Sequence, residues 1–72
     1  MYKVTIFTNE TIENTRLVEI FGNPVRWEIK DGIEGRSGIN WFIWETIIDR
    51  EWATVGEFDN EDDAVLFKLS WP

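Results

Sequence analysis

The chain contains no cysteine and no histidine. The first absence excludes disulfides, and the second removes imidazole from metal binding and from acid–base chemistry. Long apolar runs are missing too. The stretch Trp41-Phe42-Ile43-Trp44 stops at Glu45, far short of the roughly 18 apolar residues that a membrane-spanning helix requires. No basic segment followed by an apolar one opens the sequence, so neither secretion nor membrane insertion is expected, and a cytoplasmic location is. Basic residues are scarce: seven against fourteen acids, for a net charge of −7. The deficit is concentrated. Residues 1–36 hold six acids and five bases, whereas residues 37–72 hold eight acids and two bases. A nucleic-acid binder carries a basic patch against phosphate repulsion, so direct nucleic-acid binding is not expected. An acidic face favours solubility and steers a basic partner.

What is present is aromatic surface. Five Trp, five Phe and one Tyr make up 15% of the 72 residues. A single domain this short builds only a few kcal/mol of net stability, roughly 3–5, and has no disulfide to help it. Two routes remain: efficient burial of aromatic rings, each removing about 150–250 Å² from water, or self-association; the composition points to the first, with a homodimer left open by the second.

Residues 2–8 alternate, with Tyr2, Val4 and Ile6 on one face, and predict a strand. Thr8 or Asn9 caps a helix expected to run to Phe21, with Gly22 closing it and Pro24 forbidding continuation. Val25, Trp27 and Ile29 alternate with Arg26, Glu28 and Lys30, predicting a half-buried strand with Trp27 in the core. Asp31 to Gly38, with glycines at 32, 35 and 38, reads as a mobile loop. Residues 39–48 read as a strand with Phe42, Trp44, Thr46 and Ile48 on one face and Trp41, Ile43, Glu45 and Ile47 on the other. Asp49-Arg50 reads as a tight turn, and residues 51–58 as a further strand. Asn60 caps a second helix whose first turn carries Glu61, Asp62 and Asp63, placed to complement its dipole. Ala64 to Trp71 finish the chain as helix, or as a short helix plus strand. The expected fold is α+β: a two-layer sandwich in the order β-α-β-β-β-α, with two helices on one face of an antiparallel sheet. The ferredoxin-like order β-α-β-β-α-β is its rival.

The motifs argue against conventional catalysis. Asp59, Glu61 and Asp63 alternate as hard-cation ligands do, but a calcium loop places Gly at its sixth position and Glu at its twelfth. Counted from Asp59, those positions are Ala64 and Ser70, so no metal is expected. The glycines at 32, 35 and 38 match neither phosphate-binding signature, and no Lys-Ser/Thr pair follows. Ile33-Glu34-Gly35-Arg36 matches the tetrapeptide cut by the clotting protease factor Xa. A nucleophile needs a neighbouring base, and without His or Cys few pairs qualify. No enzyme activity and no cofactor are expected.

The tail Phe58-Asp-Asn-Glu-Asp-Asp-Ala-Val-Leu-Phe-Lys-Leu-Ser-Trp71 resembles a C-terminal signature of small acidic proteins of tailed phages, especially those infecting cyanobacteria. It covers about a fifth of the chain, and residues 1–57 carry no matching motif. The resemblance implies no activity and no catalytic residues. It implies small phage proteins that bind and redirect host proteins.

These readings converge on a non-enzymatic protein-binding domain, an inhibitor or modulator of a larger protein. The expected contact surface combines Trp41, Trp44 and Trp52 with the acids Asp59, Glu61, Asp62 and Asp63, against a partner with a basic surface. Two alternatives use other chemistry. One is an acidic decoy that imitates DNA and occupies a nucleic-acid-binding protein; the other is a small-ligand binder that stacks its ligand on Trp.

Overall fold

The computed structural model describes residues 1–22 and 24–71. Five strands form one antiparallel sheet: β1 (Tyr2–Phe7), β2 (Arg26–Lys30), β3 (Ile33–Ser37), β4 (Trp41–Ile48) and β5 (Glu51–Phe58). Their order across the sheet is β1-β5-β4-β3-β2. Strands β2 to β5 form a meander, and β1 joins its far side against β5. Helix α1 (Asn14–Phe21) links the two edge strands, and α2 (Glu61–Leu69) follows β5. Both helices pack on one face, so the fold is the expected two-layer α+β sandwich. Among the described residues no strand follows α2, which excludes the ferredoxin-like order. The sheet nevertheless has one strand more than expected.

That strand, β3, occupies the segment expected to be a mobile loop. Asp31 and Gly32 both take positive φ, 52° and 79°, which is the two-residue hairpin turn favoured by Asp-Gly. Gly35 then sits inside the strand, because a Cβ there would come within 2.5 Å of the Ile43 carbonyl and 2.8 Å of the Phe42 ring. Its glycine serves close approach of a neighbouring ring, not loop mobility.

The helix face carries the main core. Leu17, Trp41, Ile43, Phe58 and Phe67 are buried together with Ile12 and Ala64. Phe21 lies 5.1 Å from Trp41 and 5.9 Å from Phe58, and Phe67 lies 5.3 Å from Phe58 (ring centroids). The open face has a smaller cluster. Phe42 and Trp44 stand 5.5 Å apart, and Val55 and Ala53, on the same face of the neighbouring strand, are buried. Lys3 lies over Trp44 and Lys30 over Phe42, each with its ammonium near 6 Å from the ring centre (6.0 and 5.9 Å). β4 is thus apolar on both faces, as its sequence requires of a central strand.

Two expectations fail at the edges. α1 begins at Asn14, not near Thr8. The Thr8 hydroxyl accepts from the Glu10 amide, a local turn that competes with helix, and Ile12 is pulled into the core. Trp27 is not core: it is 68% exposed, and Ile29 is 72% exposed. Their alternation is real, and both side chains lie on the helix face, but β2 sits at the sheet edge beyond the helices' cover.

Arg36 ties the irregular segment 8–13 to the sheet. It is 3% exposed. Its guanidinium donates to the Ile12 carbonyl, to Asn14 Oδ1 at 2.9 Å and to Glu45 Oε1 at 2.8 Å. The planar fork spreads its donors over two terminal nitrogens, one serving Ile12 and Asn14 and the other Glu45, a reach that a single ammonium nitrogen lacks.

Candidate protein-docking surface

The seven residues expected to form one surface are placed in four regions. Trp41 is 6% exposed and stacks into the helix-face core; as a contact anchor it is a correction, since its ring is consumed by the fold. Its strand has two apolar faces, and the helices cover the Trp41 face. Trp44 lies on the opposite, open face, half-buried beneath Lys3. Trp52 is 56% exposed.

The acids lie elsewhere. Asp59, Glu61 and Asp62 are exposed at the start of α2, as helix-start acids should be. Asp63 is engaged in the cap: its amide donates to Asn60 Oδ1 at 2.9 Å, and Asn60 Nδ2 donates to its carboxylate at 3.0 Å. Trp52 and Asp59 stand at opposite ends of β5. Seven residues of extended chain separate them, on the order of 23 Å. The structure does not bring the aromatic and acidic halves of the expected site together.

Trp52 instead finds other neighbours. On the helix face it stands directly across from Ile47, which is 57% exposed. The pair projects past the last residues that the helices cover. The Thr8 amide donates to the Trp52 carbonyl at 3.0 Å, which holds the 8–11 segment beside it. Two shallow clefts flank the indole. One is lined by Thr8, Asn9, Glu10, Thr11 and Glu45, the other by Phe7, Thr8, Asn9 and Glu51. Phe7 is 55% exposed. Three large apolar side chains are therefore more than half exposed at one end of the sheet, Trp52 and Ile47 on the helix face and Phe7 on the open face, bordered by Glu10, Glu45 and Glu51. Glu45 has one oxygen committed to Arg36.

Sequence reasoning missed Phe7, Ile47, Glu10 and Glu51. The available signal was Phe7 itself, an aromatic off the Tyr2-Val4-Ile6 face, which a well-covered sheet would not place there.

No family model, no curated protein and no solved structure matches this chain.

Among the described residues no group of three or more His, Cys, Asp or Glu could hold a metal ion, and no helix is long and apolar enough to cross a membrane. The tryptophans are dispersed: Trp41 and Trp71 pack with the core, Trp44 lies on the open face, and Trp27 and Trp52 lie exposed on different strands.

Proposed function

We propose that the chain is a small, acidic, non-enzymatic protein-binding domain whose contact surface centres on Trp52, with Ile47 across from it on the helix face, Phe7 around the same sheet end on the open face, and Glu10 and Glu51 at its border. The observation that carries this reading is the shared exposure of three large apolar side chains at one sheet end, where neither helix reaches. Monomeric proteins seldom leave such a group uncovered without use for it, and Trp is among the residues that dominate contact energy. The acidic border selects a partner that offers an apolar recess rimmed by Lys or Arg. The resemblance of the C-terminal segment to small phage proteins favours a bacterial host protein as that partner, and a modulating or inhibiting role.

The test compares three baits in affinity capture from a bacterial lysate: the unaltered protein, Trp52→Ala and Trp27→Ala. A protein retained by the first and third and lost with Trp52→Ala supports the reading. Identical capture by all three overturns it. Capture that survives Trp52→Ala but vanishes with added salt would instead favour the acidic decoy.

A further inference from the structure

The free edge of the sheet carries a second unassigned surface, independent of Trp52. Among the described residues β2 pairs with β3 alone, and all five of its residues are exposed. An edge strand presents unpaired amides and carbonyls to any chain that can add a strand. We propose that the occupant of this edge is a second copy of the same chain, joined through antiparallel β2–β2 pairing centred on Trp27.

The backbone restricts how that pairing can form. Lys30 and Ile33 flank the two-residue turn, and such a turn closes on a hydrogen-bonded pair. The alternation then aims the peptide groups of Arg26, Glu28 and Lys30 at β3, and those of Trp27 and Ile29 outward. Two copies related by a two-fold axis normal to the sheet must therefore join through odd-numbered positions, which fixes the pairing to registers centred on a single residue.

Charge and shape choose among them. Centred on Arg26, the pairing sets that residue against its own copy. Centred on Glu28, it sets Glu28 against its own copy and Arg26 against Lys30 of the second copy. Every charged pair is then like-signed, which is destabilising for residues directly opposite. With Ile29 opposite its own copy, Trp27 falls opposite Asp31 of the second copy. Asp31 has left the strand for the positive-φ turn and cannot continue the ladder. Centred on Trp27, by contrast, both faces agree. Arg26 stands opposite Glu28 of the second copy, twice by symmetry. Trp27 faces Trp27, and Ile29 falls opposite Val25, the residue just before the strand. The two side chains left most exposed on the helix face of β2, Trp27 and Ile29, become an apolar cross-strand cluster, and the open face becomes two ion pairs. The opposite edge offers no such match, for β1 carries one charge, Lys3. An isologous interface requires this kind of self-complementarity.

Sedimentation velocity across a concentration series tests the proposal, with far-UV circular dichroism confirming the fold of each exposed-site variant. The unaltered protein is expected to dimerise. Arg26→Glu alone and Glu28→Arg alone each create like-charged pairs and should weaken the dimer about tenfold or more. The combined Arg26→Glu, Glu28→Arg variant restores opposite charges in swapped order and should recover most of the lost affinity. Trp52→Ala should leave the dimer unchanged, which separates this surface from the one proposed above. A protein that stays monomeric at every concentration, a dimer indifferent to the single reversals, or a double reversal that fails to rescue would each overturn the assignment.

Discussion

Arg36 shows how one side chain can decide whether a segment is a loop or a strand. It bridges the sheet to the Ile12 carbonyl, Asn14 and Glu45 while almost wholly buried. Replacing it with Met keeps the apolar stem but leaves the Ile12 carbonyl and Glu45 without their donor. The expected loss is about 2–4 kcal/mol in urea denaturation, with Arg36→Lys recovering only part of it. The same burial governs proteolysis. Factor Xa should leave the folded protein intact and cut after Arg36 once it is unfolded, because a protease needs the chain extended and accessible. Cleavage of native protein at that bond would show that β3 opens readily. A second contrast separates pattern from burial. Trp27→Ala, measured at a concentration low enough to keep the protein monomeric, should change stability by less than about 1 kcal/mol. Phe67→Ala should cost roughly 3–5 kcal/mol, close to the entire stability of a domain this size. Equal effects would mean that the helix layer does not carry the core.

At the scale of elements, the β4–β5 turn fits its sequence poorly. Asp49 and Arg50 both hold positive φ, 50° and 68°, where a side chain costs about 1–2 kcal/mol relative to glycine. Asp49→Asn combined with Arg50→Gly installs the Asn-Gly pair that such a turn favours. The double change should raise stability by about 1 kcal/mol, or roughly 4–8 °C in Tm for a domain of this length. A lower Tm would show that Arg50 makes a compensating contact. That turn was legible as Asp49-Arg50 between two aromatic-rich strands, and so were β1, β4, β5, the Gly22 closure of α1 and the Asn60 cap of α2. Each of these is set by residues adjacent in sequence. What escaped sequence reasoning depended on distant partners. β3 hid behind its glycines, because Gly35 is required by the Phe42 ring above it and not by its own neighbours. The late start of α1 follows from Ile12 entering the core and from Arg36, twenty-two residues beyond Asn14, holding that helix's first residue. Trp27 alternates as a core residue would, yet periodicity reports only which face a side chain takes. Whether a helix covers that face depends on the strand's position in the sheet.

For the whole molecule, the consequence is a separation of charge from aromatic contact. The α2 acids and Trp52 lie at opposite ends of β5, on the order of 23 Å apart, while the Debye length at physiological ionic strength is about 8 Å. The helix-start acids are therefore screened from a partner seated on Trp52, and the nearby Glu10 and Glu51 are not. With a partner in hand, Glu10→Gln combined with Glu51→Gln should lower the association rate and flatten its dependence on salt, leaving dissociation nearly unchanged. Glu61→Gln combined with Asp62→Asn, which spares the Asn60–Asp63 cap, should alter neither rate by more than about twofold, since long-range steering through that much electrolyte is weak. Trp52→Ala acts on the other rate. It removes a contact made only after docking, so dissociation should quicken at every salt concentration, with a loss of about 2 kcal/mol or more. Surface plasmon resonance over a salt series reads all three effects together. If the Glu61 and Asp62 changes slow association as much as the Glu10 and Glu51 changes do, the partner reaches the α2 end of the sheet and the contact surface is not confined to Trp52. If Trp52→Ala leaves dissociation untouched while binding persists, the exposed indole is incidental and the acids alone hold the partner.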